Sequence, residues 1–153
     1  VIMVSSYPVV SSFVRNLRKL GSVAQLISVS FVGSMALAKS LGNFGHGIGV
    51  SQVVPFPWDS RIPVVSEYHR LVGLDKSDEY SFFALEGFIA AKFFVNALKL
   101  VGRELSRERL MNIVNGPERR RLMNNTLGVD VVDLNEPFIE LTFIIGGDGD
   151  FIH

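Results

Sequence analysis

The chain has 153 residues, 48% hydrophobic and 20% charged, with 15 basic side chains balanced by 15 acidic ones and no cysteine. That length and balance fit one domain, or pieces of two small lobes, and exclude a disordered chain. Zero net charge leaves no electrostatic footprint for nucleic acid, and the lack of cysteine removes disulfides, zinc–thiolate sites and thiol nucleophiles.

Val1–Val4 is a short apolar run of the kind found in buried parallel strands, with no leader-peptide pattern, so the chain reads as starting inside a domain. Pro8 suits a first helical turn. From there Val9, Val10, Phe13, Val14, Leu17 and Leu20 recur at helical spacing up to Gly21. A second strand is predicted over Ile27–Val32, ended by Gly33-Ser34. A short helix follows over Met35–Leu41, and a third strand over Gly47–Val54. Strands alternating with helices through short connections predict βαβ units and a parallel sheet.

Pro55-Phe56-Pro57-Trp58-Asp59 breaks regular structure twice and reads as a crossover. Beyond it, helices are predicted from Pro63 to about Val72, over Ser81–Val101, and from a Ser106 cap to about Val114. No strand falls among them, so their apolar faces must cover a sheet supplied by another part of the chain, and the sequence reads as a fragment. Glu86, Lys92, Asn96 and Lys99 interrupt the long helix too often for a membrane span. Lys92, Asn96, Lys99 and Arg103 fall on one stripe and predict its wet face. Residues 116–137 are polar, with Arg119–Arg121 read as a solvated helix end, and no element is placed there. Phe138–Ile145 returns to strand, Gly146-Gly147-Asp148-Gly149 signals a turn, and Phe151-Ile152 can start a partner strand.

Few residues carry chemistry. His46, His69 and His153 stand apart without carboxylates at ligand spacing, and Asp148-Gly149-Asp150 lacks the further acids of a calcium loop. No nucleophile is paired with a base, so the reading is a non-enzyme with no metal and no cofactor. Two binding signals remain. Ser5-Ser6-Tyr7-Pro8 sits at the carboxyl end of a parallel strand and before a helix, where open α/β sheets take their ligands. Gly33-Ser34 repeats that junction, with a plain helix cap as the competing account of Ser34. The second signal is Glu86, which projects away from the polar stripe and is split between a structural and a ligand-facing role. Phe88, two residues on, lies nearer the stripe than a large aromatic usually does.

Six segments in order carry a family resemblance. Ser5-Ser6-Tyr7-Pro8 with Lys19-Leu20-Gly21, Ser30-Phe31-Val32-Gly33-Ser34 and Gly49-Val50-Ser51-Gln52-Val53-Val54-Pro55 are the first three. Pro57-Trp58-Asp59 with Pro63-Val64-Val65-Ser66-Glu67-Tyr68, Leu85-Glu86-Gly87-Phe88-Ile89-Ala90-Ala91 and Leu105-Ser106-Arg107-Glu108-Arg109-Leu110 complete the series. Together, over about residues 1–115, they resemble the C-terminal portion of periplasmic solute-binding proteins of ABC importers, of the branched-chain-amino-acid receptor type.

The resemblance implies an α/β, type I periplasmic-binding-protein fold of two lobes that close on a ligand. Residues 1–54 would belong to the second lobe, 55–127 to the crossover and the helices of the first, and 128–153 to return strands mainly of the second. It implies a periplasmic parent with a signal peptide, a small solute as ligand, an ABC permease as partner, and no catalysis. A ligand-sensing input domain of a receptor or signalling protein is the alternative. By motif, Tyr7 resembles the aromatic that walls the ligand, Phe88 stands where the family often has Tyr, and Met35 stands where leucine-type receptors carry an acid for the α-ammonium. A thioether cannot pair with an ammonium. The expectation is therefore a solute other than a simple zwitterionic amino acid, such as an apolar or aromatic carboxylate.

Overall fold

The computed structural model describes residues 1–74 and 79–129, and the backbone of Glu140–Ile144 and Phe151–Ile152. The turn expected at Gly146–Gly149, the Asp148–Asp150 acids and His153 lie outside the described residues. The chain separates into two compact units, Val1–Phe56 with Phe138–His153, and Pro57–Pro137.

Unit 1 holds a five-stranded sheet in the order β1 (Ile2–Met3), β2 (Ile27–Ser28), β3 (Ile48–Gln52), β4 (Glu140–Ile144), β5 (Phe151–Ile152). The first three strands are parallel, with Ile2 opposite Ile27 and Ile27 opposite Gly49; β4 and β5 add antiparallel. Two helices, α1 (Tyr7–Lys19) and α2 (Ser34–Leu41), supply the crossovers and pack on each other. Helix α1 starts because Pro8 fits the first turn, and it ends with Arg18 and Lys19, whose charges suit the carbonyl end of the helix dipole. Val10 and Val14 from α1, Leu37 and Leu41 from α2, and Leu26, Ile48 and Val50 from the sheet form one buried cluster. Complete burial of each large side chain stabilises the unit by about 1.5–3 kcal/mol.

The second strand is shorter than its β-branched run predicts. Its partner β1 offers two paired residues, so the ladder stops at Ser28 and the chain coils into a 3-10 turn over Ser30–Val32. Val32 then turns into the core at 2% exposure. Gly33, at φ 79°, takes the left-handed backbone that lets α2 begin at once.

Unit 2 consists of α3 (Pro63–Val72), α4 (Phe82–Val101), α5 (Arg107–Asn115) and α6 (Arg119–Leu127) among the described residues. Ser81 and Ser106 cap α4 and α5 by accepting hydrogen bonds from Ala84 N–H (3.1 Å) and Arg109 N–H (3.2 Å). Helix α6 corrects the expectation of an irregular 116–137. Its sequence shows almost no apolar periodicity. It is anchored by one pair four residues apart, Leu122 at 0% and Thr126 at 1% exposure, and closed by Gly128 at φ 73°.

The wet stripe on α4 is a second correction. Lys92 reaches Glu67 on α3 at 2.5 Å, and Asn96 donates to Thr126 on α6 at 3.4 Å, so half of the stripe faces neighbouring helices. Phe83, Phe94 and Val95 are exposed instead. The polar residues turn inward because α3 and α6 offer them partners there.

Candidate functional site

Parallel β1, β2 and β3 end on one edge of the unit 1 sheet, and α1 and α2 start from that edge. Ser5 is half-buried and Ser6 is exposed. Ser6 is the N-cap of α1 in extended conformation, yet its hydroxyl bonds no helix N–H. Tyr7, one residue further, is 42% exposed. The edge therefore presents a free hydroxyl and an open aromatic face.

Ser34 opens α2 and is buried. Its Oγ accepts a hydrogen bond from Nε2 of Gln52, the last residue of β3, at 2.6 Å. Met35 follows half-buried in the first turn of α2. Gln52 is 1% exposed and escaped the sequence reading. The available signal was an amide at the end of an otherwise apolar strand, since a buried polar residue is more informative than an exposed apolar one. Ser34 thus does not cap α2, whose N-cap is Gly33; its hydroxyl ties the α2 start to the end of β3.

The structure therefore gathers Ser5, Ser6, Tyr7, Ser34 and Met35 on one edge of unit 1. Glu86 and Phe88 belong to unit 2. Glu86 is exposed on α4, and Phe88 is half-buried with its ring 5.8 Å from Tyr68. Phe88 is thus part of an aromatic group inside unit 2, not an open surface. His69 completes that group: it stacks on Tyr80 at 4.1 Å, and its Nε2 lies 2.6 Å from the Pro57 carbonyl. Burial pushes the Tyr68 phenol above its usual range, opposed by the Ser81 backbone and reinforced by Tyr80 and Glu79.

An apolar groove of about 270 Å³ runs along the outer side of β1, lined by Val1, Ile2, Met3, Val4, Val9 and Phe13 among others. Among the described residues no three His, Asp or Glu side chains converge to hold a metal ion. No helix among them is long and apolar enough to cross a membrane.

No protein-family model and no curated protein matches the sequence. Solved structures do. A possible leucine/isoleucine/valine-binding protein from Rhodopirellula baltica SH 1 is 31% identical at a TM-score of 0.77, over 99% of this chain and 42% of its own. A substrate-binding periplasmic protein from Ralstonia solanacearum is 24% identical at a TM-score of 0.68, over 99% and 44%. A leucine-binding protein from Thermotoga maritima MSB8 is 17% identical at a TM-score of 0.75, over 99% and 42%. The last two likenesses are of fold alone. The chain spans less than half the length of each of these proteins.

Proposed function

We propose, from the type I periplasmic-binding-protein fold that the chain carries and its likeness to a receptor of the leucine/isoleucine/valine type, that it forms part of the substrate-binding component of an ABC importer. Its ligand is a small amino-acid-like or carboxylate solute, captured by hinge closure in the periplasm and passed to a membrane permease. The observation that carries this reading is the edge at Ser5, Ser6 and Tyr7. There the ends of parallel strands meet a helix start whose cap hydroxyl is unused and whose aromatic ring is open. Tyr7 gives an apolar solute a face to stack on, and Ser6 gives it a donor. The reading needs no chemical step: the work is binding and release.

The test is calorimetry on the complete receptor, with L-leucine, L-valine, 4-methylpentanoate and phenylacetate as probes. Binding of at least one, weakened about tenfold or more by Tyr7→Ala through the lost ring contact, is the expected result. Failure of all four, with the protein folded, would sink the proposal.

A further inference from the structure

We infer that the exposed surface where α4 ends and α5 and α6 begin is a docking face for an acidic polypeptide, a partner protein that presents clustered Asp or Glu side chains. The zero net charge of the chain hides a segregation. Residues 99–121 hold seven cations, Lys99, Arg103, Arg107, Arg109 and Arg119–Arg121, against three acids, Glu104, Glu108 and Glu118. That leaves 8 of the 15 cations and 12 of the 15 acids for the rest of the chain, so a segment of net charge +4 is offset elsewhere. All seven cations are exposed, and among the described residues only Arg109 pairs with a carboxylate, that of Glu104. Helices α4, α5 and α6 pack on one another. A cleft of about 410 Å³ opens among them, lined by Leu100, Arg109, Asn112, Ile113, Glu118 and Arg121. The other five cations each stand within three residues of a lining position.

Placement and residue type both argue for recognition over plain solvation. Arg119–Arg121 are the first three residues of α6, with no acid in that turn, and Arg107 and Arg109 flank Glu108 at the start of α5. A cation there opposes the helix dipole. Helix α1 does the reverse, holding Arg18 and Lys19 in its last turn, where the dipole favours them. Local stability therefore does not account for these five arginines, and an anionic partner does. Six of the seven cations are arginine. Its planar fork takes a carboxylate through two parallel hydrogen bonds, whereas lysine acts as a point charge. Discrete protein carboxylates fit this surface better than an anionic bilayer, because a continuous anionic plane would also meet Glu104, Glu108 and Glu118. The residues concerned belong to unit 2 alone, so the solute-binding reading can fail without touching this one.

The experiment follows fluorescein-labelled octaglutamate by anisotropy on the complete protein, at about 20 mM and about 150 mM salt. One triple variant replaces Arg119, Arg120 and Arg121 by Gln. A second replaces Lys19, Lys39 and Arg70 by Gln, removing the same charge from exposed positions outside the patch. Octaglutamate affinity should fall about tenfold or more in the first variant and less than about twofold in the second, and should weaken with salt. The first variant should melt no lower than the wild type, since its substitutions relieve the dipole conflict. Similar losses in both variants would reduce the effect to net charge and overturn the assignment. A lower melting temperature in the first would give its arginines to stability and overturn it too. So would a wild type that does not bind octaglutamate at the lower salt, whether or not it binds phosphatidylglycerol vesicles.

Discussion

Cutting the Gln52–Ser34 hydrogen bond tests whether the candidate edge is held by a specific polar contact or only by packing. The donor amide is 1% exposed, the accepting residue 4%, and the bond is 2.6 Å long. Ser34→Ala leaves the Gln52 amide buried without that partner, at a cost of about 1–3 kcal/mol. Gln52→Met keeps the side-chain length and removes the donor, and should cost about 1 kcal/mol because the serine hydroxyl can turn toward another acceptor. The double variant leaves neither group stranded. Its loss should therefore fall short of the sum of the two singles by about 1 kcal/mol. Urea unfolding followed by far-ultraviolet circular dichroism reads all four proteins. Additivity within about 0.3 kcal/mol would refute the coupling, and with it the claim that β3 positions the start of α2.

A Cβ at Gly128 would meet Pro63 Cβ at 2.8 Å on a backbone at φ 73°, so Gly128→Ala should destabilise unit 2 by about 2–4 kcal/mol. Fluorescence of Trp58, the single tryptophan and an edge-on neighbour of Phe82, reports it; a loss below about 1 kcal/mol would mean that α6 is not pinned on α3. The raised Tyr68 phenol means that the folded state holds this proton more tightly than the unfolded state. Stability from this group is present below the ordinary value of 10.0 and is lost as pH rises through the folded value. Tyr68→Phe should remove that alkaline slope in urea midpoints and cost about 1 kcal/mol or less at pH 7, since the buried hydroxyl has at most the Ser81 backbone beside it. An unchanged slope would refute the assignment. Lys92→Met keeps the packed stem and drops the ion pair with Glu67. Because Glu67 is 46% exposed and screened, the expected loss is about 0.5–1 kcal/mol, shrinking in 1 M salt. A loss indifferent to salt would point to packing.

The order of strands and helices in residues 1–54 was legible because each element carried its own punctuation: Pro8 and Gly21 around α1, Gly33 before α2, Pro55 after β3. Ser81 and Ser106 marked two helix starts for the same reason, through a cap that acts locally. What could not be read depended on partners. The length of β2 is set by the two paired residues of β1, which no pattern within Ile27–Val32 discloses. Helix α6 rests on two buried side chains and contacts from α3 and α4, so its own sequence looks like loop. In the candidate site, Ser5, Ser6 and Tyr7 were visible from their place after a strand. Gln52 stood out only once the structure showed its amide buried and bonded to Ser34.

The inward stripe of α4 marks a difference in how the two units cover their apolar faces. Unit 1 has its own sheet, and ten buried apolar residues close around it. The positions of Ser34, Gln52 and Tyr7 are therefore fixed by packing within that unit, and a binding role can be argued from them. Unit 2 offers helices alone among its described residues. Its α4 satisfies Lys92 and Asn96 through α3 and α6 while Phe83, Phe94 and Val95 stay exposed. Helix amphipathicity normally assigns polar residues to water and apolar ones to protein. Here the assignment is reversed on two faces of one helix, because polar partners were near and no apolar cover exists among the described residues. Each buried square ångström of that apolar face is worth about 25 cal/mol, so its exposure is a standing drive toward association. The candidate edge of unit 1 differs in that its exposed groups, Ser6 and Tyr7 with the apolar Val4, Phe31 and Val53, follow strands whose core is already filled.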